Sequence, residues 1–167
     1  MYVDYSGKKP CIVNRFTGEI VEVEFFVMFW GYSQYFYAEV HDNQKSEIWV
    51  MGYMRVFEFF GCVGQLIVPD NLKSTVTMAR IYDPDVNTSY ESLVNYYHVG
   101  VLPARSSYPK DKAKFENSVQ LVQRWILARL RNQTFHSIAE LNSAIWRLPD
   151  DLSKRKIQKV NKSRYDL

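Results

Sequence analysis

The sequence predicts an α/β fold: a five-stranded mixed sheet, three antiparallel strands followed by two strands added through crossover helices, flanked by helices. Three observations predict it. Residues 1–40 are dominated by strand-like alternation and one continuous apolar run. Between 44 and 60 the apolar residues change to steps of three and four. From Lys112 to Arg131 a single apolar stripe marks a long amphipathic helix after a further short strand. With 167 residues, 47% of them hydrophobic, the chain suits one compact domain with a substantial core.

The elements follow in order. Met1 to Tyr5 is a short apolar strand interrupted by Asp4, and Cys11-Ile12-Val13 is turned by Arg15-Phe16-Thr17-Gly18. Glu19 to Phe25 alternates at period two and then stays apolar through Trp30, which reads as one strand whose far end is buried on both faces. Tyr35 to Val40 returns after a hairpin-sized connection. In 44–60 the repeating positions are Ile48, Met51, Tyr53 or Met54, Phe57 and Phe60, and Gly61 closes the helix. Leu66-Ile67-Val68 is the fourth strand, ended by Pro69-Asp70-Asn71, which on its own is ordinary turn chemistry. Tyr90 to Tyr97 reads as helix and Val99 to Leu102 as a strand. The long helix carries Phe115, Val119, Val122, Ile126 and Leu130, and Ser137 with Glu140 forms an S-x-x-E box opening a last helix, Ile138 to Trp146.

Composition excludes several classes. The longest apolar run, Phe25 to Gly31, is strand-sized and far short of a membrane span, and Met1 is followed by no basic and apolar leader, so the expectation is a cytoplasmic protein with no membrane partner. Cys11 and Cys62 form no C-x-x-C pair, and His41, His98 and His136 are scattered, so no zinc ligand set is present. Net charge is only +3, but residues 1–103 carry 7 Lys/Arg against 12 Asp/Glu and residues 104–167 carry 14 against 6. That asymmetry fits one face meeting a polyanion while another holds carboxylates; a solvated basic helix face is the alternative.

Three acids stand out by position. Asp4 interrupts the first strand, Asp70 ends the fourth and Glu116 lies in the first turns of the long helix. An acid in an apolar strand is costly unless it is paired or binds a cation; the other reading is an edge-strand acid facing solvent. If the fourth strand lies beside the first, Asp4 and Asp70 project from neighbouring strands, and the long helix can turn Glu116 toward them. Converging carboxylates repel one another, and hard divalent cations with oxygen ligands resolve that repulsion. Two such ions would clamp the attacking and leaving oxygens of an in-line phosphoryl displacement.

The same residues carry a resemblance. Met-Tyr-Val-Asp-Tyr-Ser-Gly at 1–7, Val-Pro-Asp-Asn-Leu-Lys-Ser at 68–74 and Pro-Lys-Asp-Lys-Ala-Lys-Phe-Glu at 109–116 resemble the three signature blocks of the integrase catalytic core. The nearest pattern is that of IstA-type insertion-sequence transposases of the DDE class, relatives of retroviral integrase. The 45 residues between Asp70 and Glu116 match the spacing in that group, as do Phe57-Glu58-Phe59-Phe60-Gly61 and Arg124-Trp125-Ile126-Leu127-Ala128-Arg129-Leu130-Arg131-Asn132. The resemblance implies a ribonuclease H-like fold, with Asp4, Asp70 and Glu116 as catalytic ligands of two Mg2+ or Mn2+ ions. It implies hydrolysis at transposon ends by water, then strand transfer by the freed 3′-hydroxyl into target DNA. Residues 1–150 would be the catalytic core and 151–167 a basic extension leading toward a C-terminal region. An N-terminal helix-turn-helix region is the other part expected of such a protein, so this chain should bind DNA without sequence specificity. Self-association and an AAA+ ATPase helper are further implied partners.

Basic and amide side chains surround the triad: Asn71 and Lys73 follow Asp70, and Arg105, Lys110, Lys112 and Lys114 precede Glu116. All are candidates for phosphate contacts, which position DNA without reading it. Many related transposases carry Lys or Arg seven residues after the glutamate; that position is Gln123 here, and the role passes to Arg124 beside it. Asp83, Asp85 and Asp111 read as turn or helix-start residues. Arg105-Ser106-Ser107-Tyr108 lacks the proline expected of that loop. Two other readings stay open: a ribonuclease H-like nuclease, and a catalytically silent DNA-binding or assembly domain, since fold does not fix function.

Overall fold

The computed structural model describes residues 1–69, 84–101, 109–157 and 161–167; for residues 46, 84–90 and 109–115 it describes the backbone alone. The strands are β1 (Tyr2–Ser6), β2 (Cys11–Val13), β3 (Ile20–Glu22), β4 (Glu24–Phe29), β5 (Phe36–His41), β6 (Leu66–Pro69), β7 (Gly100–Val101), β8 (Lys156–Ile157) and β9 (Lys162–Ser163). The helices are α1 (Ser46–Phe60), α2 (Pro84–Tyr97), α3 (Pro109–Leu130), α4 (Ile138–Ile145) and α5 (Pro149–Ser153). The main sheet runs β5-β4-β1-β6-β7, with β1 antiparallel to β4 and parallel to β6, as the sequence leads one to expect.

β4 explains why the sheet has two covered faces. Phe25, Val27 and Phe29 point into one core with Val119, Val122, Ile126 and Leu130 of α3 and Leu141 and Ile145 of α4. Phe26 and Met28 point the other way, onto Trp49, Tyr53, Val56 and Phe57 of α1 and Leu93 of α2. A strand buried on both faces needs no polar alternation, hence the apolar run. The single strand expected over Glu19–Trp30 is two: alternation ends with β3, which pairs with β2 in a separate hairpin, and β4 starts at Glu24. Helix α1 also buries a face rotated by one residue from the expected stripe, with Trp49, Tyr53, Val56 and Phe57 inside and Met51 and Met54 exposed. Gly61 ends α1 at φ 65°, a left-handed position that glycine adopts without strain.

Two polar devices hold the outer strand β5. Asn142 of α4 accepts from Val40 N through Oδ1 at 2.6 Å and donates Nδ2 to Val40 O at 3.0 Å, so a side-chain amide replaces the missing neighbouring strand at this edge. On the opposite face Glu39 is fully buried (0% exposed). Its carboxylate accepts from Arg55 Nε at 2.7 Å and Nη2 at 3.0 Å, from Tyr37 Oη at 3.0 Å and from His41 Nε2 at 2.8 Å. Burial alone would raise the Glu39 carboxyl, but the hydrogen bonds from His41 and Arg55 outweigh it and hold it below the usual carboxylate range. The other ring nitrogen of His41, Nδ1, lies 2.8 Å from the Tyr5 hydroxyl, so the network extends from Glu39 to β1.

Residues 149–157 and 161–167 pack against this frame. Leu152 of α5 joins the core with α3 and α4, and the Tyr165 ring meets Tyr35 at 5.8 Å between centroids. Among the described residues no helix is long and apolar enough to cross a membrane.

Candidate active site

β1 is the middle strand of the main sheet, so Asp4 is no edge residue: it pairs with Val27 of β4 and is half-buried. Side chains alternate along a strand. Val3 packs into the core under α1, whereas Asp4 and Ser6 face the α3 side. β6 runs parallel to β1 with Val3 opposite Pro69, the residues that precede Asp4 and Asp70. Asp70 itself lies outside the described residues, as do Asn71, Lys73, Asp83 and Arg105 with its loop.

Between the end of β1 and α3 lies an open cleft of about 700 Å³. Asp4, Ser6, Gly7 and Lys8 form one wall. Glu116 and Gln120, four residues apart, and Gln123 and Arg124, three and four beyond Gln120, form the other along one helical face of α3. The cleft therefore brings Asp4 and Glu116, two of the three expected acids, from distant parts of the chain to one concavity. Among the described residues no three His, Cys, Asp or Glu side chains cluster as a metal site. The donor groups that do face the cleft, a half-buried Asp and an exposed Glu, are oxygen ligands of the kind hard divalent cations take.

The helix that presents Glu116 is held at its middle and toward its C-terminal end. Ser118 bonds Gln34, whose Nε2 in turn donates to Gly31 O at 2.9 Å, tying the middle of α3 to the β4–β5 connection. Further along, the Arg129 and Arg155 guanidinium carbons lie 3.1 and 4.2 Å from the centre of the Trp125 ring, with Asp151 within 3.8 Å of both arginines. Part of the basic C-terminal charge is thus used in packing. Of the expected phosphate contacts, Arg124 is exposed at the cleft and donates Nη2 to Gln120 Oε1 at 3.3 Å. Lys110, Lys112 and Lys114 sit on the first turns of α3, their side chains outside the description, and Asp85 and Asp111 lie within helices.

Sequence reasoning passed over Ser6 and Gln34, and it set Gln123 aside for Arg124. Gln123 is in fact buried in the cleft wall while Arg124 stays exposed. The one signal available was spacing, since Ser6 falls two residues after Asp4 and Gln123 two helical turns after Glu116.

No family model matches the chain. It is 40% identical to y4uI of Sinorhizobium fredii, a protein with a transposase designation, over 99% of this chain and 33% of that protein. It is 37% identical to the protein so designated for insertion sequence IS408 of Burkholderia multivorans, over 98% of this chain and 32% of that one. The chain therefore spans about a third of the length of the curated relatives it matches. Among solved structures, the catalytic core domain of BIV integrase superposes with a TM-score of 0.65 at 11% identity, covering 98% of this chain and 89% of that one. The HTLV-2 integrase catalytic core domain, in complex with magnesium in a dimeric form, gives 0.64 at 11% identity over 99% of this chain and 93% of that one. Over its whole length the chain is homologous to a section of insertion-sequence transposases, and it has the ribonuclease H-like fold of the retroviral integrase catalytic core.

Proposed function

We propose that the chain is the catalytic core of a DNA transposase, a DDE polynucleotidyl transferase in which Asp4, Asp70 and Glu116 hold two Mg2+ or Mn2+ ions. The observation that carries this reading is the meeting of Asp4 and Glu116 in one cleft of a chain homologous to transposases. The β1–β6 register supports Asp70 as the third ligand, because it follows Pro69 as Asp4 follows Val3. Bound metal would supply acidified water or 3′-hydroxyl and charge stabilisation of the leaving oxygen. The chain's own part is to hold oxygen ligands on rigid elements and to line the approach with Lys8 and Arg124, which attract backbone phosphates without reading sequence. Assembly of more than one copy and an AAA+ ATPase helper belong to the same proposal; the dimeric form of the HTLV-2 core supports the first.

The test is manganese-dependent cleavage and strand transfer on branched DNA. Wild type should give product, and Asp70→Asn, Asp4→Asn and Glu116→Gln should each lose it. Equal product from wild type and Asp70→Asn would refute the assignment.

A further inference from the structure

The β2–β3 hairpin is a two-stranded sheet of its own, and the fold closes one of its edges while leaving the other open. Asn14 N donates to Glu19 O and Val23 N to Pro10 O, each at 2.9 Å, so the pairs that exchange hydrogen bonds are Pro10/Val23, Ile12/Val21 and Asn14/Glu19. The backbone of Val13 therefore points out of β2, and both its groups are taken: N–H by Phe135 O at 2.8 Å, C=O by His136 Nδ1 at 2.9 Å. By the same alternation the N–H and C=O groups of Ile20 and Glu22 point out of β3. Among the described residues none of these four groups has a partner.

Ile20 on this edge is 68% exposed, and Val21, Glu19 and Glu22 are exposed beside it. An open edge bearing apolar side chains is a template for another strand, and proteins blunt such edges, as Asn142 does for β5. An open cavity of about 310 Å³ lies on the Val21 face of the hairpin, lined by Ile12, Phe16 and Val21 together with Asn14, Arg15 and His136. Asn14 Oδ1 accepts from Phe16 N at 2.9 Å and Thr17 N at 3.3 Å, so the Phe16 ring, 98% exposed, stands on a defined turn.

We propose that the outer edge of β3 receives an extended, basic segment of a partner protein as an added strand. The four open backbone groups supply the main-chain hydrogen bonds, and the cavity selects a side chain. A partner residue opposite Val21 shares its face and enters the cavity, where apolar walls and the Arg15 charge call for an aliphatic group. Residues opposite Glu19 and Glu22 meet carboxylates, which selects Lys or Arg. The same two glutamates disfavour other occupants: a second β3 edge or a nucleic-acid backbone would bring charge of like sign against them. The site is separate from the cleft of Asp4 and Glu116 and stands without the catalytic reading.

The experiment titrates the chain with the capped peptide Thr-Lys-Val-Val-Lys-Thr and with its counterpart carrying Glu for Lys. Amide hydrogen exchange is followed by NMR and affinity by calorimetry. The Lys peptide at about ten times its Kd should slow exchange of the Ile20 and Glu22 amides about 10-fold. The Glu counterpart should bind about 3- to 10-fold weaker, and Glu22→Lys should reverse that preference. Ile20→Pro removes an outward N–H without touching the ladder to β2 and should weaken the Lys peptide about 3- to 10-fold. If Ile20→Pro fails to fold, the exposed change Glu22→Lys carries the test. Equal affinity for the two peptides, or no slowing of the Ile20 and Glu22 amides, would overturn the assignment. Slowing that grows with the concentration of the chain alone would overturn it in favour of a second copy, and slowing by a DNA duplex in place of the peptide would overturn it in favour of nucleic acid.

Discussion

Arg55→Met tests the buried charge network on the side of the sheet away from the cleft. Glu39 is fully buried, and Arg55 supplies two of the four hydrogen bonds it accepts. Removing one partner of a buried pair costs about 3–5 kcal/mol. The Arg55 side chain is 33% exposed, so the lower end, about 3 kcal/mol, is expected. For a domain of this size that is a fall in Tm of about 6–12 °C, measured by calorimetry or circular dichroism at pH 7. Glu39→Leu combined with Arg55→Met should be less destabilised than the sum of the two single changes, because the double variant leaves no stranded charge. The pH dependence has a definite sign. The folded carboxyl of Glu39 lies below its ordinary 4.5, so its contribution is present above pH 4.5 and is lost as pH falls through the lower folded value. Arg55→Met should move that loss to higher pH. A cost below about 0.5 kcal/mol, or strict additivity in the double variant, would refute the reasoning.

Three further outcomes follow from the same structure. Asn142→Leu strands the buried amide and carbonyl of Val40 and should cost about 2–4 kcal/mol in urea unfolding; a cost under about 0.5 kcal/mol would count against the side-chain amide as the partner of this edge. Tyr5 and Tyr37 are pushed above their ordinary 10.0, first by burial and then by the Glu39 charge. Their contribution to stability is thus present below pH 10 and lost as pH rises beyond it, so Tyr37→Phe should unfold less readily than wild type in strong alkali. Millimolar Mn2+ should raise Tm, and Asp4→Ala should abolish the rise; an equal shift in Asp4→Ala would count against Asp4 as a ligand.

What was legible in the sequence was local or strictly periodic. The apolar run through Phe29 gave a doubly covered strand, Gly61 a helix end, and Val119, Val122, Ile126 and Leu130 the buried face of α3. Asp4 was legible because a lone acid in an apolar strand demands an explanation, and Glu116 because it sits beside that helical face. Ser137 does cap α4, accepting from Glu140 N at 3.1 Å, but the Glu140 carboxylate reaches back to His136 N rather than to Ser137. What was not legible depends on partners remote in the chain. Glu39 reads as an ordinary outward residue of an alternating strand until Arg55 of α1 is placed over it. Asn142 gains its role only when α4 lies along the β5 edge, and the break at Val23 follows from β2 and β3 pairing with each other. Ser6 and Gln123 matter only once β1 and α3 face one another across the cleft.

The central claim is that Asp4 of β1, Asp70 after β6 and Glu116 of α3 share metal ions. The most direct measurement is the anomalous signal of manganese in crystals of the chain with branched DNA. The account predicts a peak bridged by oxygens of Asp4 and Asp70 and a second held by Asp4 and Glu116. Manganese bound away from Asp4, or to Asp4 with neither Asp70 nor Glu116 within coordination distance, would contradict it.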